Sequence, residues 1–404
     1  MKVLQINTFC GIGSTGRIAT DISEILQKEG NDSIIAYGIG ENPNSKVKTI
    51  KIGTKLEVHI HSLISQLFDM QGRGSFLATK RFIKKVKMYD PDIIHLHNLH
   101  GCYINIKVLF KYLEKSNKPV IWTLHDCWPF TGHCAHFDYA KCEKWKTKCE
   151  KCIQKRVYPK NIFVNRAERN YKFKKNIFNK CKNITIITPS KWLSNLVKQS
   201  FLGKYQIKVI NNGIDLVKFK PIKNNTIEKK YNLTNKFIVL GVASSWSDKK
   251  GLKYFVELSK KLDENYIIIL VGITEKQKQQ LPKQIITISK TNNVEELAEF
   301  YSAADVFVNP TLEDNFPTTN LEALACGTPI ITFNTGGSVE SIDKTCGEII
   351  EKGNLEELYK TIIKLKKHNL KSEDCIEKSK QYDKIDKYRE YIELYTKVIE
   401  GDII

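Results

Sequence analysis

The sequence predicts two α/β domains in tandem, each a doubly wound parallel sheet with helices on both faces. Its 404 residues exceed what one hydrophobic core usually covers. Short β-branched runs alternate with helix-length amphipathic stretches in both halves. Between the halves lie Asn211-Asn212-Gly213-Ile214-Asp215 and a polar stretch from Pro221 to Asn235, which together have the turn chemistry of a hinge.

In the first half, strands are expected at Val3 to Asn7, Ser33 to Tyr37, Asp92 to His97, Val120 to Leu124 and Ile184 to Thr188. In the second they are expected at Phe237 to Val242, Tyr266 to Val271, Ile285 to Ser289, Val306 to Asn309 and Ile330 to Phe333, each apolar enough for burial on both faces. The domains are therefore drawn at 1–215, with a cysteine-rich insertion at 127–152, and at 216–380. Residues 381–404 close the chain: Tyr388, Tyr391, Ile392, Tyr395 and Ile399 recur at helical spacing, which predicts an amphipathic helix placed to pack back on the first domain.

With 41% hydrophobic and 27% charged residues the composition is globular, and no apolar run approaches the roughly 18 residues of a membrane span. The first residues read directly as a strand without a signal-peptide pattern, so a cytoplasmic protein is expected, and its eleven cysteines are expected as thiols or metal thiolates. A net charge of +20 attracts anions: nucleic acid, anionic lipid or a phosphorylated substrate.

The most informative stretch runs from Asn309 to Pro329, strand to turn to helix. Pro317 suits a first helical turn, and Thr318, Thr319 and Asn320 then place backbone N–H groups and side-chain donors at a positive helix end that can take a diphosphate. Glu322, one turn in, can accept ribose hydroxyls. Asp314, on the loop outside a strand's carboxyl end, can hold sugar hydroxyls. Without further context these residues also suit an ordinary turn and helix, with Glu313 and Asp314 solvated.

This stretch resembles the signature of glycosyltransferase family 4, a retaining family of GT-B fold, in which two acids separated by seven residues precede an alanine-rich ACGTP helix end. The resemblance extends over Leu297 to Val308, Thr335 to Glu340 and Asn211 to Asp215, nearly the whole chain. It implies two Rossmann-like domains facing a central cleft and a sugar transferase of hexosyl type. It also implies a donor-sugar role for Asp314, shared with the adjacent Glu313, and a ribose role for Glu322. Family members carry an Arg and a Lys after the first strand of the second domain. Lys250, before Gly251, matches the lysine, while Ser244 or Ser245 stands at the arginine position, and Ser245 is carried as donor-binding.

Gly11-Ile12-Gly13-Ser14-Thr15-Gly16 spells a dinucleotide fingerprint, but Ile34 to Gly38 supplies no acid for a ribose. Gly13 and Gly16 are therefore read as facing the donor phosphate or the acceptor. Asp90-Pro91-Asp92 spells a metal motif of other sugar transferases yet precedes its strand, so it is read as a turn, and no catalytic metal is expected. His125 ends a strand on the ligand side, where a neutral ring oriented by Asp126 can contact the sugar, as a similarly placed His does in the family. His97 and His100, with His95, are candidates for the acceptor side or for hydrogen-bonded structural histidines.

Cys134, Cys142, Cys149 and Cys152 fall in one short excursion ending in C-x2-C, which points to a structural zinc or to four ordinary thiols. From Lys155 to Lys182 ten Lys or Arg face one acid, Glu168, among Tyr158, Phe163, Tyr171, Phe173 and Phe178. That composition suits a solvated face or peripheral docking on the anionic inner face of a cell membrane; no motif supports nucleic acid.

The expectation is a glycosyltransferase acting from a UDP- or GDP-sugar on a glycan or lipid-linked acceptor in cell-surface polysaccharide biosynthesis. The alternatives are a non-transferring protein of the same fold, such as a nucleotide-sugar epimerase, or a polyanion-binding module.

Overall fold

The computed structural model describes residues 1–41, 46–223, 226–368 and 370–402. Asn224 and Asn225 of the hinge stretch lie outside them. The chain divides into two compact units, Met1–Asn211 with Ile385–Ile404, and Asn212–Lys384.

The first unit runs β1 (Lys2–Asn7), α1 (Gly13–Lys28), β2 (Asp32–Tyr37), β3 (Lys48–Lys51), α2 (Lys55–Phe68), α3 (Phe76–Tyr89), β4 (Ile93–Leu96), α4 (Ile106–Ser116), β5 (Val120–Thr123), α5 (Ala167–Phe178), β6 (Ile184–Thr188), α6 (Lys191–Gln199) and β7 (Gln206–Val209). The strands are parallel in the order β3-β2-β1-β4-β5-β6-β7, so chain direction reverses its march between β1 and β4. Strand ends on either side of that reversal open a ligand crevice at their carboxyl edge. The central strands β4, β5 and β6 are buried at every position, which is why they read as apolar runs.

The second unit runs α7 (Thr226–Tyr231), β8 (Phe237–Val242), α8 (Leu252–Lys261), β9 (Tyr266–Val271), α9 (Glu275–Lys278), β10 (Ile285–Ile288), α10 (Val294–Ala303), β11 (Val306–Asn309), α11 (Thr318–Ala325), β12 (Ile330–Phe333), β13 (Gly347–Ile350), α12 (Leu355–Lys367) and α13 (Ser372–Lys380). Its parallel order, β10-β9-β8-β11-β12-β13, carries the same reversal between β8 and β11. Cores lie on both faces of this sheet, one around Leu240, Phe307 and Leu324, the other around Val239, Phe255 and Ile331.

The last helix, α14 (Lys384–Glu400), joins the first unit's core. Tyr388, Tyr391 and Tyr395 pack with Val3, Ile18, Ile22 and Ile93. The boundaries fall at 211/212 and 384/385 rather than at 215 and 380. Ile214 and Asp215 are tied to the second unit: the Ile214 N–H donates to the Tyr382 carbonyl at 2.7 Å, and Lys384 pairs with Asp215 at 2.8 Å. Among the described residues no helix is long and apolar enough to cross a membrane.

Candidate active site

In the second unit three loops follow the carboxyl ends of the adjacent strands β8, β11 and β12, and they grip one another through backbone. The Leu312 N–H donates to the Lys249 carbonyl at 2.7 Å, and the Thr335 hydroxyl donates to the Leu312 carbonyl at 3.0 Å. Two glycines permit this approach. Gly251 has φ +79°, and a Cβ there would stand 2.1 Å from the Pro310 carbonyl oxygen; Gly336 has φ +54°, and a Cβ there would stand 1.8 Å from that of Asp314.

The neighbouring acids take separate lysine partners. Glu313 is buried and pairs with Lys249, whereas the better exposed Asp314 pairs with Lys250 at 2.5 Å and accepts the Asn315 N–H at 2.8 Å. Asp314 and Lys250 thus present opposite charges side by side on the strand-end surface. Ser245 is exposed on the loop after β8.

Helix α11 has Pro317 as its N-cap, one position before the first turn expected of it, and no side chain caps its first N–H groups. Thr318 and Thr319 are half-buried there. Asn320 is different: its amide donates to the Ser338 carbonyl and hydroxyl and to Ser341, and its oxygen accepts from Asn309 at 2.8 Å, all fully buried. Its side chain fastens α11 to β11 and to the loop after β12, so only its position, not its amide, bears on a ligand. Glu322 is buried one turn further, accepting the Tyr301 hydroxyl at 2.9 Å. Burial and then Glu322 push the Tyr301 hydroxyl well above its ordinary pKa, so it remains a donor.

In the first unit, Gly13 opens α1 with φ +65° and an exposed Cα, while Gly16 is buried, its carbonyl accepting the Gly11 N–H at 3.2 Å and the Thr20 hydroxyl at 2.8 Å. The loop is thereby folded onto the start of α1, which has no side-chain cap. His97 and His125 lie just past the ends of β4 and β5 and meet, Nδ1 to Nε2, at 3.1 Å. The Asp126 carboxylate accepts from His100 Nε2 at 2.7 Å and from the Trp128 N–H at 2.8 Å. His100 Nδ1 in turn meets the Tyr158 hydroxyl at 2.8 Å. His95 is wholly buried between Thr123 and Tyr395, so it lines no pocket.

Among the described residues no group of three or more His, Cys, Asp or Glu side chains is arranged to hold a metal ion. Cys134 and Cys152 share a thiol–thiol hydrogen bond, but Cys149 accepts the Gly132 N–H at 3.2 Å and Cys142 packs at the core's margin. The basic stretch 155–182 is partly interior. Tyr171 and Phe178 of α5 are buried, and the buried Lys174 donates to the Trp128 carbonyl at 2.5 Å, burial pushing its ammonium down to about 7. The Asp90-Pro91-Asp92 segment is a turn at the amino ends of the strands: Asp90 pairs with Lys118 at 2.6 Å and Asp92 accepts the Lys2 N–H at 2.6 Å.

The sequence reading missed Tyr301, Lys249 and Gln5. For Gln5 a signal existed, a long polar side chain in the middle of an apolar central strand.

The family description "Glycosyltransferase Family 4" matches residues 15–218, and "Glycosyl transferases group 1" matches 223–382. The putative colanic acid biosynthesis glycosyl transferase WcaC of Escherichia coli K12 is 24% identical over 371 residues, 89% of each chain. The UDP-Gal:alpha-D-GlcNAc-diphosphoundecaprenol alpha-1,3-galactosyltransferase of Escherichia coli is 28% identical over 44% of this chain and 51% of its own. Among solved structures, sucrose-phosphate synthase of Thermosynechococcus elongatus superposes with a TM-score of 0.73 at 15% identity over 99% of both chains. Anabaena HepE in complex with UDP gives 0.68 at 14% identity over 98% of this chain and 100% of its own. The fold is that of the GT-B glycosyltransferases, two Rossmann-like parallel-sheet domains.

Proposed function

Because the chain belongs to glycosyltransferase family 4, we propose that it transfers a hexosyl group from a nucleoside-diphosphate sugar to a hydroxyl of a lipid-linked glycan in cell-surface polysaccharide assembly, with retention of anomeric configuration. One observation carries the reading: the Lys250–Asp314 pair and the Tyr301-bound Glu322 flank an uncapped helix start at the carboxyl ends of β8 and β11. Such a helix start takes a diphosphate on its N–H groups, Lys250 adds a full charge, Glu322 takes the ribose diol, and Asp314 takes hydroxyls of the sugar. In the first unit, His125 is assigned a sugar-contacting role, Gly13 leaves its backbone exposed for a ligand, and His97 and His100 are assigned to the acceptor.

As the bond from sugar to diphosphate breaks, negative charge grows on the leaving oxygen while the sugar becomes oxocarbenium-like, and the acceptor hydroxyl attacks from the same face. Lys250 and the α11 N-terminus offset that charge without a catalytic metal ion. UDP is the nucleotide favoured for the donor, since HepE is in complex with UDP and the galactosyltransferase relative is named for UDP-Gal; GDP is the second to test. The lipid-linked acceptor is favoured by the same relative's name.

The surface favoured for membrane docking is α2 rather than α5. Helix α2 is inverted, with His61 and Ser65 buried while Leu56, Ile60 and Leu63 are 67%, 47% and 45% exposed. Exposed Phe76 and Leu77 begin α3, whose outer face continues with Lys80, Arg81, Lys84 and Lys85, and the Ile162 N–H binds the Gln66 carbonyl at 2.8 Å, bringing Phe163 alongside. An apolar stripe bordered by lysines suits an anionic bilayer, on the cytoplasmic side.

The test is a panel of UDP- and GDP-sugars with a polyisoprenyl-diphosphate glycan extract, with and without EDTA. Acceptor-dependent release of one nucleoside diphosphate, unaffected by EDTA, with the product's α or β linkage matching the donor's, is the expected result. No release from any donor would sink the reading, release abolished by EDTA its metal-free step, and an inverted linkage its stereochemistry.

A further inference from the structure

Only seven of the chain's 64 basic residues are arginine, and three of the seven gather where the loop after α2 meets the start of α5. Arg166 is the N-cap residue of α5, and Arg169 and Phe173 follow it at i+3 and i+7, on one side of the helix. Arg73, on the loop between α2 and α3, reaches that side: its guanidinium carbon lies 3.9 Å from the centre of the Phe173 ring, and its Nη2 donates to the Arg169 carbonyl at 3.5 Å. The loop is held in place, since the Asn105 amide donates to the carbonyls of Arg73 at 2.5 Å and of Gly74 at 3.1 Å.

These charges are not balanced from within the fold. Arg81 and Arg389 have carboxylate partners, Glu57 at 2.5 Å and Glu29 at 3.1 Å. Among the described residues no carboxylate forms an ion pair with Arg73, Arg166 or Arg169, and the buried Nε atoms of Arg73 and Arg166 meet no hydrogen-bond partner. The neighbouring acids are already engaged. The Asp69 carboxylate meets His133 Nδ1 at 2.7 Å and accepts the Arg166 N–H at 2.9 Å, and Glu168 pairs with Lys172 at 2.8 Å. Burial and then the charge of Arg166, opposed by Asp69, lower the Arg73 pKa, so the two guanidiniums feel one another's charge.

We propose that Arg73, Arg166 and Arg169 form an anion site that holds the diphosphate of the lipid-linked acceptor. The inference rests on the lipid-linked reading for its ligand and on the arginines' geometry for its charge. A guanidinium presents a planar fork that meets two phosphate oxygens at once and stays charged at any physiological pH, whereas an ammonium is a point charge. The place fits such a ligand as well. Arg73 stands in the chain between Phe68, exposed at the end of α2, and Phe76 and Leu77, exposed at the start of α3. A diphosphate carried on an isoprenoid chain lies at the bilayer surface, beside the apolar stripe proposed to enter it.

The probe is geranyl diphosphate, titrated calorimetrically into the full-length protein without lipid, with geraniol as the uncharged control. The wild type is expected to bind the diphosphate at least tenfold more tightly than geraniol. Arg73→Gln and Arg166→Gln are each expected to weaken the diphosphate about tenfold, and Arg73→Lys, which keeps the charge but not the fork, to weaken it less. Lys250→Gln is expected to leave probe binding unchanged, because Lys250 serves the donor. Arginine variants that bind the probe as the wild type does would overturn the site, as would a loss confined to Lys250→Gln. A loss of phosphatidylglycerol vesicle binding with probe binding intact would also overturn it, leaving the arginines as headgroup contacts. Should thermal melts show Arg73→Gln unfolded, the exposed Arg169→Gln carries the same expectation. A protein that binds the probe through these arginines yet transfers no sugar would keep the anion site and remove only the transferase reading; sugar transfer by arginine variants with an unmoved acceptor KM would do the reverse.

Discussion

Tyr301 supports the proposed ribose site from behind: its hydroxyl donates to a carboxylate in a buried setting, where a hydrogen bond to a charged group is worth about 1.5–3 kcal/mol. Tyr301→Phe is therefore expected to raise donor KM by about tenfold and Glu322→Ala by more, with acceptor KM unmoved. Initial rates over a donor titration check this, and equal effects on both substrates would argue for general damage to the unit instead. Asp126 makes a separate, pH-dependent contribution. Burial would raise its pKa, but the charge and hydrogen bond of His100, the charge of His136 and the Trp128 N–H hold it down to about 2, below the ordinary carboxylate value. Its charged form is favoured in the fold, so the stabilisation, about 2 kcal/mol, is complete above the ordinary carboxylate range and fades as pH falls from about 4 to about 2. Asp126→Asn is expected to melt below the wild type at neutral pH, with the gap closing at the acid end of a series of thermal melts. A gap constant with pH would show that packing, not charge, holds Asp126 in place.

The loops that carry the site are held by backbone contacts, and this makes their glycines a test at the scale of elements. At Gly336 both the positive φ and the Asp314 carbonyl oppose a side chain, so Gly336→Ala is expected to displace the Asp314 loop and reduce turnover at least a hundredfold while the melting temperature changes little, the strain being local. Retained activity would show that Asp314 is not held where the chemistry needs it. The same scale explains what the sequence could say. Strands β6, β8, β9, β11 and β12 were legible to the residue because they are buried apolar runs. The three strands that went unread, β3 (KTIK), β7 (QIKV) and β13 (GEII), are all at sheet edges, where one-sided pairing tolerates lysine and glutamate and leaves no apolar signature. Asp314, Lys250 and Glu322 could be found because they lie in one contiguous motif or beside a turn glycine. Tyr301 and the Asp126–His100 pair could not, because their partners are brought together only by the fold, 21 and 26 residues away.

Taken over the whole molecule, the proposed membrane docking would draw on two features, the net charge of +20 and the inverted helix α2. Charge alone draws a protein to any anionic surface and is screened within about 8 Å at physiological salt, so it sets approach rather than depth. The apolar stripe of Leu56, Ile60 and Leu63 is what can enter a bilayer, at about 25 cal/mol per Å2 of surface removed from water, and these exposed side chains contribute little to the core. Replacing all three by Gln is therefore expected to leave the melting temperature and acceptor-independent donor hydrolysis unchanged while lowering partition onto phosphatidylglycerol vesicles more than about tenfold. Wild-type binding should weaken with added salt but persist in part, because the apolar component is not screened. Vesicle co-sedimentation of both forms across a salt series separates the contributions. If the triple variant bound as tightly as the wild type, the stripe would not be the docking face; if the wild type bound neutral and anionic vesicles alike, the lysines beside the stripe would have no part in choosing the membrane.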